Sequence, residues 1–438
     1  MHQPSICPNF GAETNVSCRF PVDVCSTRSA LINLNKIARS YLKLHRKALS
    51  FFLSGSFSRV VILALCPLCC VPATAEPANY IRQNSVTEAL VPSTTKLFFN
   101  DPLTDDGVHL QVFRLQGEGV EWSPDGKWVV YDCKHRDGYY NIHVCRADGT
   151  QDRSLTTLNN GLPHRHAGSP TWHPTGRYIA FAAEKKVHQG GSVEAIPGFG
   201  GRADIWVMLA DGSKAWRLTQ TEDTKSDGVL LPKFSHDGTK LAWTERVGTA
   251  KFFQPRAWFS EWVIKVADFT DTPSAPQLTN IRTIRPGGPG FYEAYGFSPD
   301  DRQIIFCSDF DRSSAFNSQI FVMDSIDGGQ VRCLTHGKSY NEHASFSPDG
   351  RHIVWMSSQD NRNNGTDWWL MDADGSHQRR LTHFNVPGYP EGSGAATFAG
   401  LVHWAPNGVQ LLGGVQYSLL KQEGRIMLMS LDDSVIGK

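Results

Sequence analysis

The decapeptide FSPDGRHIVW, residues 346–355, decides the fold of this 438-residue chain, because five near-copies of it occur elsewhere in the sequence. In this stretch, proline presets the second position of a tight turn, aspartate is favourable at the third position, and glycine takes a positive φ. Such a turn joins two antiparallel strands. The copies are WSPDGKWVVY (122–131), WHPTGRYIAF (172–181), FSHDGTKLAW (234–243), FSPDDRQIIF (297–306) and WAPNGVQLLG (404–413).

Each copy is followed by an apolar stretch, a second turn resembling Asp-Gly, and a Leu-Thr pair that we interpret as a short fourth strand. The repeat therefore contains four strands, A to D, and its sixfold repetition predicts an all-β, six-bladed β-propeller. The last repeat has no Leu-Thr pair of its own, and residues 108–115 resemble such a strand. We therefore expect the N-terminal strand to complete the last blade and close the ring. The Leu-Thr pairs are residues 155–156, 218–219, 278–279, 334–335 and 381–382.

These repeats resemble those of TolB-like six-bladed β-propellers, which are also found beside the catalytic domains of prolyl oligopeptidase relatives. The resemblance covers residues from about 108 to 432, and we expect the propeller domain to span residues 108–438. It implies a fold more than a function, because many proteins reuse this blade. TolB carries an α/β domain ahead of its propeller, for which residues 76–107 are too few, so that segment is predicted to be a linker.

Charge is divided unevenly along the chain, although the whole sequence has no net charge. Residues 1–75 hold eight Lys or Arg and two Asp or Glu, which leaves 35 basic and 41 acidic residues in the rest. The predicted propeller is therefore slightly acidic and offers no basic field for nucleic acid.

Residues 1–75 are predicted to be an N-terminal extension that ends in a secretory signal peptide. Seven basic residues between positions 28 and 59 precede the apolar run 60–71, and Ala73 and Ala75 form a small-x-small cleavage site. The apolar run is short and is interrupted by Pro67, which argues against a membrane-spanning helix. We expect cleavage after Ala75 and a periplasmic or secreted protein.

Four of the ten cysteines follow the predicted signal: Cys133, Cys145, Cys307 and Cys333. Cys133 and Cys145 are equidistant from Tyr139, so a hairpin centred there would place them opposite each other. An exported chain permits a disulfide. Spacing alone cannot show bridge geometry, so two free thiols are an equal alternative.

Connection lengths predict one loop-rich face, because the A–B and C–D turns are short and the B–C and D–A connections vary. Long loops on one side of a rigid scaffold are where binding usually occurs. One loop, residues 251–263, carries Phe252, Phe253, Trp258, Phe259 and Trp262, which either contact a carbohydrate or protein or pack beneath the loop. The long connections are residues 184–202, 245–262, 280–295 and 383–400.

Unusual side chains precede the A strands and should ring the channel mouth on the loop-rich face. They are His164, Arg165, His166, Tyr292, Glu293, Tyr295, His343 and His403. Three imidazoles and a carboxylate, from His166, Glu293, His343 and His403, could hold a divalent metal such as Mn, Zn or Ca. The same groups could bind an acidic sugar or a peptide terminus, or each histidine could simply cap a turn or face solvent.

Catalytic motifs are scarce: the sequence has no G-x-S-x-G elbow, no H-E-x-x-H and no Gly-rich phosphate loop. A peptidase is therefore not expected. We favour an exported, non-catalytic, monomeric propeller that binds a protein or polysaccharide partner on its loop-rich face. The alternative is a metal-dependent polysaccharide lyase that resembles oligogalacturonate lyases, with its metal in the channel and Arg165 neutralising a uronate carboxylate.

Overall fold

The structure is a computed structural model, in which nearly all of the described elements are β-strands. It describes residues 103–157, 161–186, 193–222, 227–248, 261–310, 315–361, 365–392, 394–418 and 423–437. The predicted extension, signal peptide and most of the linker lie outside these residues. In the described part, no helix is long and apolar enough to cross a membrane.

Six antiparallel sheets follow one another along the chain, as predicted for a six-bladed propeller. Blade one contains β3 (Val120–Trp122), β4 (Trp128–Lys134), β5 (Tyr140–Arg146) and β6 (Arg153–Ser154), and blade two contains β7 (Ala167–Trp172), β8 (Tyr178–Glu184), β9 (Ala203–Leu209) and β10 (Ala215–Arg217). Blade three contains β11 (Val229–Phe234), β12 (Lys240–Arg246), β13 (Trp262–Asp271) and β14 (Pro276–Ile284), and blade four contains β15 (Tyr292–Phe297), β16 (Gln303–Ser308), β17 (Gln319–Asp324) and β18 (Arg332–Cys333).

The last two sheets complete the ring. Blade five contains β19 (Asn341–Phe346), β20 (His352–Ser357), β21 (Asp367–Asp372) and β22 (Arg379–Arg380). Blade six contains β23 (Phe398–Trp404), β24 (Gln410–Ser418) and β25 (Glu423–Leu431), followed by β2 (Val108–Arg114) and β1 (Leu103–Asp105). A short helix, α1 (Asp433–Ile436), follows β25.

The N-terminal strand β2 pairs antiparallel with β25, from Val108 opposite Leu431 to Arg114 opposite Ile426. This is the pairing expected from the missing fourth strand of the last repeat, although Leu115 lies beyond it and is exposed. The innermost strands β3, β7, β11, β15, β19 and β23 contact one another in turn, and β23 also contacts β3. The six sheets therefore form a closed ring.

The SPDG-type turns have the predicted conformation. In blade one, the Ser123 hydroxyl donates to Asp125 at 2.6 Å and accepts the Trp128 N–H at 2.9 Å, while Gly126 has a φ of 68°. In blade four, Asp301 replaces the glycine and adopts a φ of 59°. A side-chain hydrogen-bond network therefore fixes the turn, which explains why the motif is repeated.

The Leu-Thr pairs play a different part from the predicted one, because in four blades they follow the D strand rather than form it. In blade five, β22 ends at Arg380, and the Leu381 N–H still donates to the Trp368 carbonyl at 2.8 Å. The Thr382 hydroxyl then accepts the Trp368 N–H at 3.0 Å and lies 3.1 Å from the Asp367 carboxylate. The Thr382 hydroxyl thus replaces the backbone acceptor that the Trp368 N–H lacks near the start of β21. Equivalent bonds join Thr156 to Ile142, Thr219 to Ile205 and Thr335 to Ile320.

The predicted alignment of Cys133 with Cys145 is wrong, and both thiols are free. In the β4–β5 register, Cys133 lies opposite Asn141 and Cys145 lies opposite Val129. The connection is a tight turn that contains Gly138 at a φ of 89°, so the hairpin is centred two residues before Tyr139. The disulfide alternative is thereby excluded by register.

One of the predicted long connections is shorter than expected, and another lies mostly outside the described residues. Residues 280–284 belong to β14, so the connection into blade four is shorter than expected and runs from 285 to 291. The aromatic loop lies mostly outside the described residues, since Phe252, Phe253, Trp258 and Phe259 are not among them. Trp262 begins β13 and is buried.

Candidate functional site

The six innermost strands run from the loop-rich face toward the SPDG turns, because each ends at its A–B turn. The residue directly before the closing aromatic of each strand is glycine in blade four and polar in the other five blades. Contacts between blades show that several of these side chains meet at the ring axis. In blade order they are Glu121, Thr171, Lys233, Gly296, Ser345 and His403.

A polar network crosses the channel at this level. The Lys233 ammonium forms an ion pair with Glu121, and its Nζ atom lies 3.3 Å from His403 Nε2. Glu121 also accepts 2.9 Å hydrogen bonds from the Thr171 hydroxyl and the Trp172 N–H. Burial holds the pKa of His403 well below its usual value, and the neighbouring ammonium has the same effect. The neutral imidazole can therefore accept from Lys233.

His343 lies near this network, at a strained position in a β-bulge. Its φ is 56°, and the register of β19 against β20 shifts between Glu342 and Ser345. Its Nε2 atom lies 3.9 Å from a Glu342 oxygen, and its ring meets the Tyr295 ring edge-on with centroids 5.6 Å apart. Burial lowers the pKa of His343 to about 4. Ser169 and Leu231, at the same position of blades two and three, have φ values of 54° and 48°, so this bulge is a feature of the repeat.

Two buried carboxylates meet at the boundary between blades four and five. One oxygen each from Glu293 and Glu342 and the Cys307 sulfur all lie within 4.8 Å of one another. The Tyr295 hydroxyl lies 2.9 Å from both Glu293 Oε2 and Cys307 Sγ, and Tyr340 is hydrogen-bonded to Glu342. Burial raises the pKa of both carboxyls, and for Glu342 the charge of Glu293 raises it further. Close carboxylates without a cation favour sharing a proton.

His164, Arg165 and His166 lie elsewhere, at the boundary between blades one and two. His166 is buried, and its Nδ1 atom accepts the Tyr140 N–H at 3.2 Å. Arg165 donates to the Tyr139 hydroxyl at 3.0 Å. His164 is exposed. A pocket of about 460 Å³ opens here, lined by Tyr139, Gly161, Leu162, Pro163, His164, Arg165 and Lys186.

Three of the four predicted metal ligands lie in adjoining groups, because His343 lies near both His403 and Glu342, whereas His166 lies apart. His343 and His403 lie near each other at the axis, Glu293 lies with Cys307 and Glu342, and His166 lies between blades one and two. Among the described residues, the groups of three or more metal-binding side chains contain at most one of the four. Metal binding by this set stays a prediction. Tyr292 has a structural contact, because its hydroxyl accepts the Gly287 N–H at 2.9 Å and donates to the Gly288 carbonyl at 3.0 Å.

Sequence reasoning missed Glu121, Lys233, Cys307 and Glu342. Glu121 and Lys233 carried a usable signal, because each is a charged residue directly before the aromatic of an aligned repeat. A charged side chain at that position of a buried strand costs free energy unless it is paired. Glu342 directly precedes the predicted ligand His343, but only the packing of blade four on blade five brings it to Cys307.

The comparisons with known proteins cover parts of the chain. No family model matches it. An uncharacterized protein of Agrobacterium fabrum is 38% identical over 88 residues, which are 20% of this chain and 27% of that protein. Dipeptidyl-peptidase 5 of Porphyromonas endodontalis is 25% identical over 281 residues, 55% of this chain and 37% of that protein. The chain thus spans less than half the length of these curated relatives.

Similar solved structures include TolB from Acinetobacter baumannii, with a TM-score of 0.45 and 17% identity, covering 70% of this chain and 64% of that one. They also include an oligogalacturonate lyase from Vibrio parahaemolyticus, with a TM-score of 0.44 and 12% identity, covering 76% and 96%. The six-bladed propeller itself follows from the strand order and the closed ring of innermost strands.

Proposed function

We propose that this propeller is an exported binding protein that holds an acidic group of a protein or polysaccharide partner on its loop-rich face. The pocket between blades one and two carries this proposal. Its lining includes the cationic side chains Arg165 and Lys186, the imidazole of His164 and the ring of Tyr139, with no carboxylate among the lining residues. A guanidinium suits planar recognition of a carboxylate, and an aromatic ring suits the apolar face of a sugar.

Exposed apolar side chains occur in connections of the same face. Val193 and Phe199 lie in the B–C connection of blade two, Val247 follows the B strand of blade three, and Phe316 lies in the B–C connection of blade four. Their exposed fractions are 71%, 59%, 46% and 43%. A partner that spans this face would cover these apolar groups together with the polar pocket.

The channel network supports a site on the face rather than a passage through the ring. Lys233 pairs with Glu121 and contacts His403 of the opposite blade, so charged side chains meet across the axis. A ligand entering from the loop-rich face would stop above them.

A direct binding measurement tests the pocket. The probes are oligogalacturonate and a Glu-rich peptide, with neutral dextran oligomers for comparison, and binding is followed by calorimetry. We expect an acidic probe to bind and Arg165→Ala to weaken it at least tenfold. The matched control is Arg136→Ala, an exposed arginine in the neighbouring turn of blade one, which should bind like the wild type. Equal affinity for Arg165→Ala and wild type, or no binding of either acidic probe, would contradict the proposal.

A metal-dependent lyase is the second candidate, and one observation favours it. The buried His343 Nδ1 atom has no hydrogen-bond partner among the described residues, and His403 lies nearby. This function would need a metal bound by the axial histidines and cleavage of oligogalacturonate to unsaturated products. Metal analysis of the purified chain and ultraviolet absorbance during incubation with oligogalacturonate separate it from simple binding. Export itself is tested by N-terminal sequencing of secreted material, which should begin at Glu76.

A further inference from the structure

The β4–β5 hairpin of blade one brings a thiol and two imidazoles together, away from the site described above. The Cys133 sulfur and one ring nitrogen each of His135 and His143 lie within 4.8 Å of one another. Side chains alternate along a strand, so Tyr131, Cys133 and His135 share a face. Tyr131 pairs with His143, which puts His143 on that face too. None of these residues lines the pocket between blades one and two.

The ring nitrogens are oriented as in a metal site. The Nε2 atoms of His135 and His143 are 2.6 Å apart, and His143 Nδ1 lies 3.2 Å from an Asp152 oxygen. When Nδ1 donates its proton to this carboxylate, the lone pair of His143 Nε2 points toward His135 and the thiol. Histidines that bind metals usually make this second bond to a carboxylate, which fixes the ring and increases its basicity.

We propose that Cys133, His135 and His143 bind one zinc ion, with Asp152 orienting His143. One thiolate and two imidazoles are ligands that zinc prefers, and three protein ligands leave a fourth position for water or an anion. Binding releases the thiol proton of Cys133 to solvent. The proton on His135 Nε2 moves through solvent to Nδ1 of the same ring, so His135 stays neutral and offers the lone pair of Nε2 to the ion.

The surroundings permit this chemistry. Tetrahedral zinc with bonds of about 2.0–2.1 Å needs its two nitrogens about 3.3 Å apart, so the imidazoles must separate slightly. His135 lies in the turn just after β4, where such a shift is small. Arg114 is a neighbouring cation, and its guanidinium donates to the carbonyls of Phe113 and Gly149. The Cys133 thiolate and Asp152 together offset its charge. The imidazoles are only partly buried, so an ion can enter from solvent.

Zinc titration of the full, chelator-treated chain tests the proposal. We expect one fewer zinc ion per chain in Cys133→Ala and in His143→Gln than in the wild type. The matched control is Cys145→Ala, because Cys145 is a buried cysteine of the same hairpin outside the group. It should retain the wild-type stoichiometry. The six cysteines within residues 1–75 are present in every variant, so they cancel in these differences.

Cobalt substitution gives a readout specific to the thiolate. Thiolate-to-cobalt charge-transfer absorption should fall in Cys133→Ala and persist in Cys145→Ala. Asp152→Asn, which changes a side chain that is 42% exposed, should weaken zinc binding about 10- to 100-fold. Zinc stoichiometry that is the same in Cys133→Ala and wild type, equal loss in Cys145→Ala, or unchanged affinity in Asp152→Asn would overturn the assignment.

Discussion

Lys233 of blade three and His403 of blade six approach each other from opposite sides of the ring, with Nζ and Nε2 3.3 Å apart. In a ring of six blades, the third and sixth stand opposite, so this contact lies at the axis. The same ammonium pairs with Glu121 of blade one. One lysine thus joins blades one, three and six, which are separate sheets.

Lys233→Met should destabilise the fold by about 3 kcal/mol. The substitution leaves Glu121 charged and largely buried, and removing one partner of a buried ion pair costs about 3–5 kcal/mol. Glu121 keeps two other hydrogen-bond donors, so we expect the lower end of that range. Denaturant unfolding measures the change. Lys127→Met, at an ion pair whose two side chains are 69% and 52% exposed, should cost less than about 1 kcal/mol. Equal effects of the two variants would contradict the buried network.

The contribution of Glu293 to stability should fall as pH rises from about 4.5 to about 7. Burial raises the pKa of Glu293 from 4.5 to about 7, so across this window the folded chain keeps a proton that the unfolded chain has lost. Glu293→Gln is neutral in both states and should reduce the fall. Other groups also contribute: burial raises the pKa of Glu118 to about 7, which acts in the same direction, and lowers that of His166 and His343 to about 4, which acts in the opposite direction. Unfolding midpoints at both ends of the window measure this, and an unchanged slope in Glu293→Gln would refute it.

Thr382→Val should cost about 1–3 kcal/mol, because it keeps the side-chain shape but leaves the buried Trp368 N–H without its acceptor. Thermal or denaturant unfolding measures the loss. The matched control is Thr157→Val, at an exposed threonine that follows the equivalent Leu-Thr pair of blade one. That change should stay within about 0.5 kcal/mol. If both variants unfold alike, the capping role of the Leu-Thr threonine is wrong.

Leu110→Ala should destabilise the ring by about 2–5 kcal/mol, through lost burial and the cavity left behind. Leu110 lies on β2 opposite Met429 of β25 and is 3% exposed. Its neighbour Gln111 is exposed, so Gln111→Ala should change stability by less than about 0.5 kcal/mol. Deleting residues 108–116 should be worse than either, because it uncovers the edge of β25. Wild-type stability after that deletion would show that the strand does not close the ring.

The sequence by itself determined the blade. Turn chemistry is local, so Ser123, Asp125 and Gly126 could be placed from their order alone, and six copies gave the number of blades. The missing strand of the last repeat likewise predicted the pairing of residues 108–114 with β25. The register of a hairpin was harder to predict, because one turn glycine shifts its centre. As a result, Cys133 and Cys145 do not lie opposite each other.

Only the tertiary structure decided which side chains meet. Gly413 replaces the aromatic of the sixth repeat because a Cβ there would lie 2.3 Å from the Trp368 indole of blade five. The predicted set of His166, Glu293, His343 and His403 rests on position within the repeat, yet bulges and blade packing decide the partners: His166 meets Tyr140, Glu293 meets Cys307, and His403 meets Lys233. Local sequence fixes backbone turns, whereas the contacts of a side chain across a blade boundary depend on residues far away in the chain.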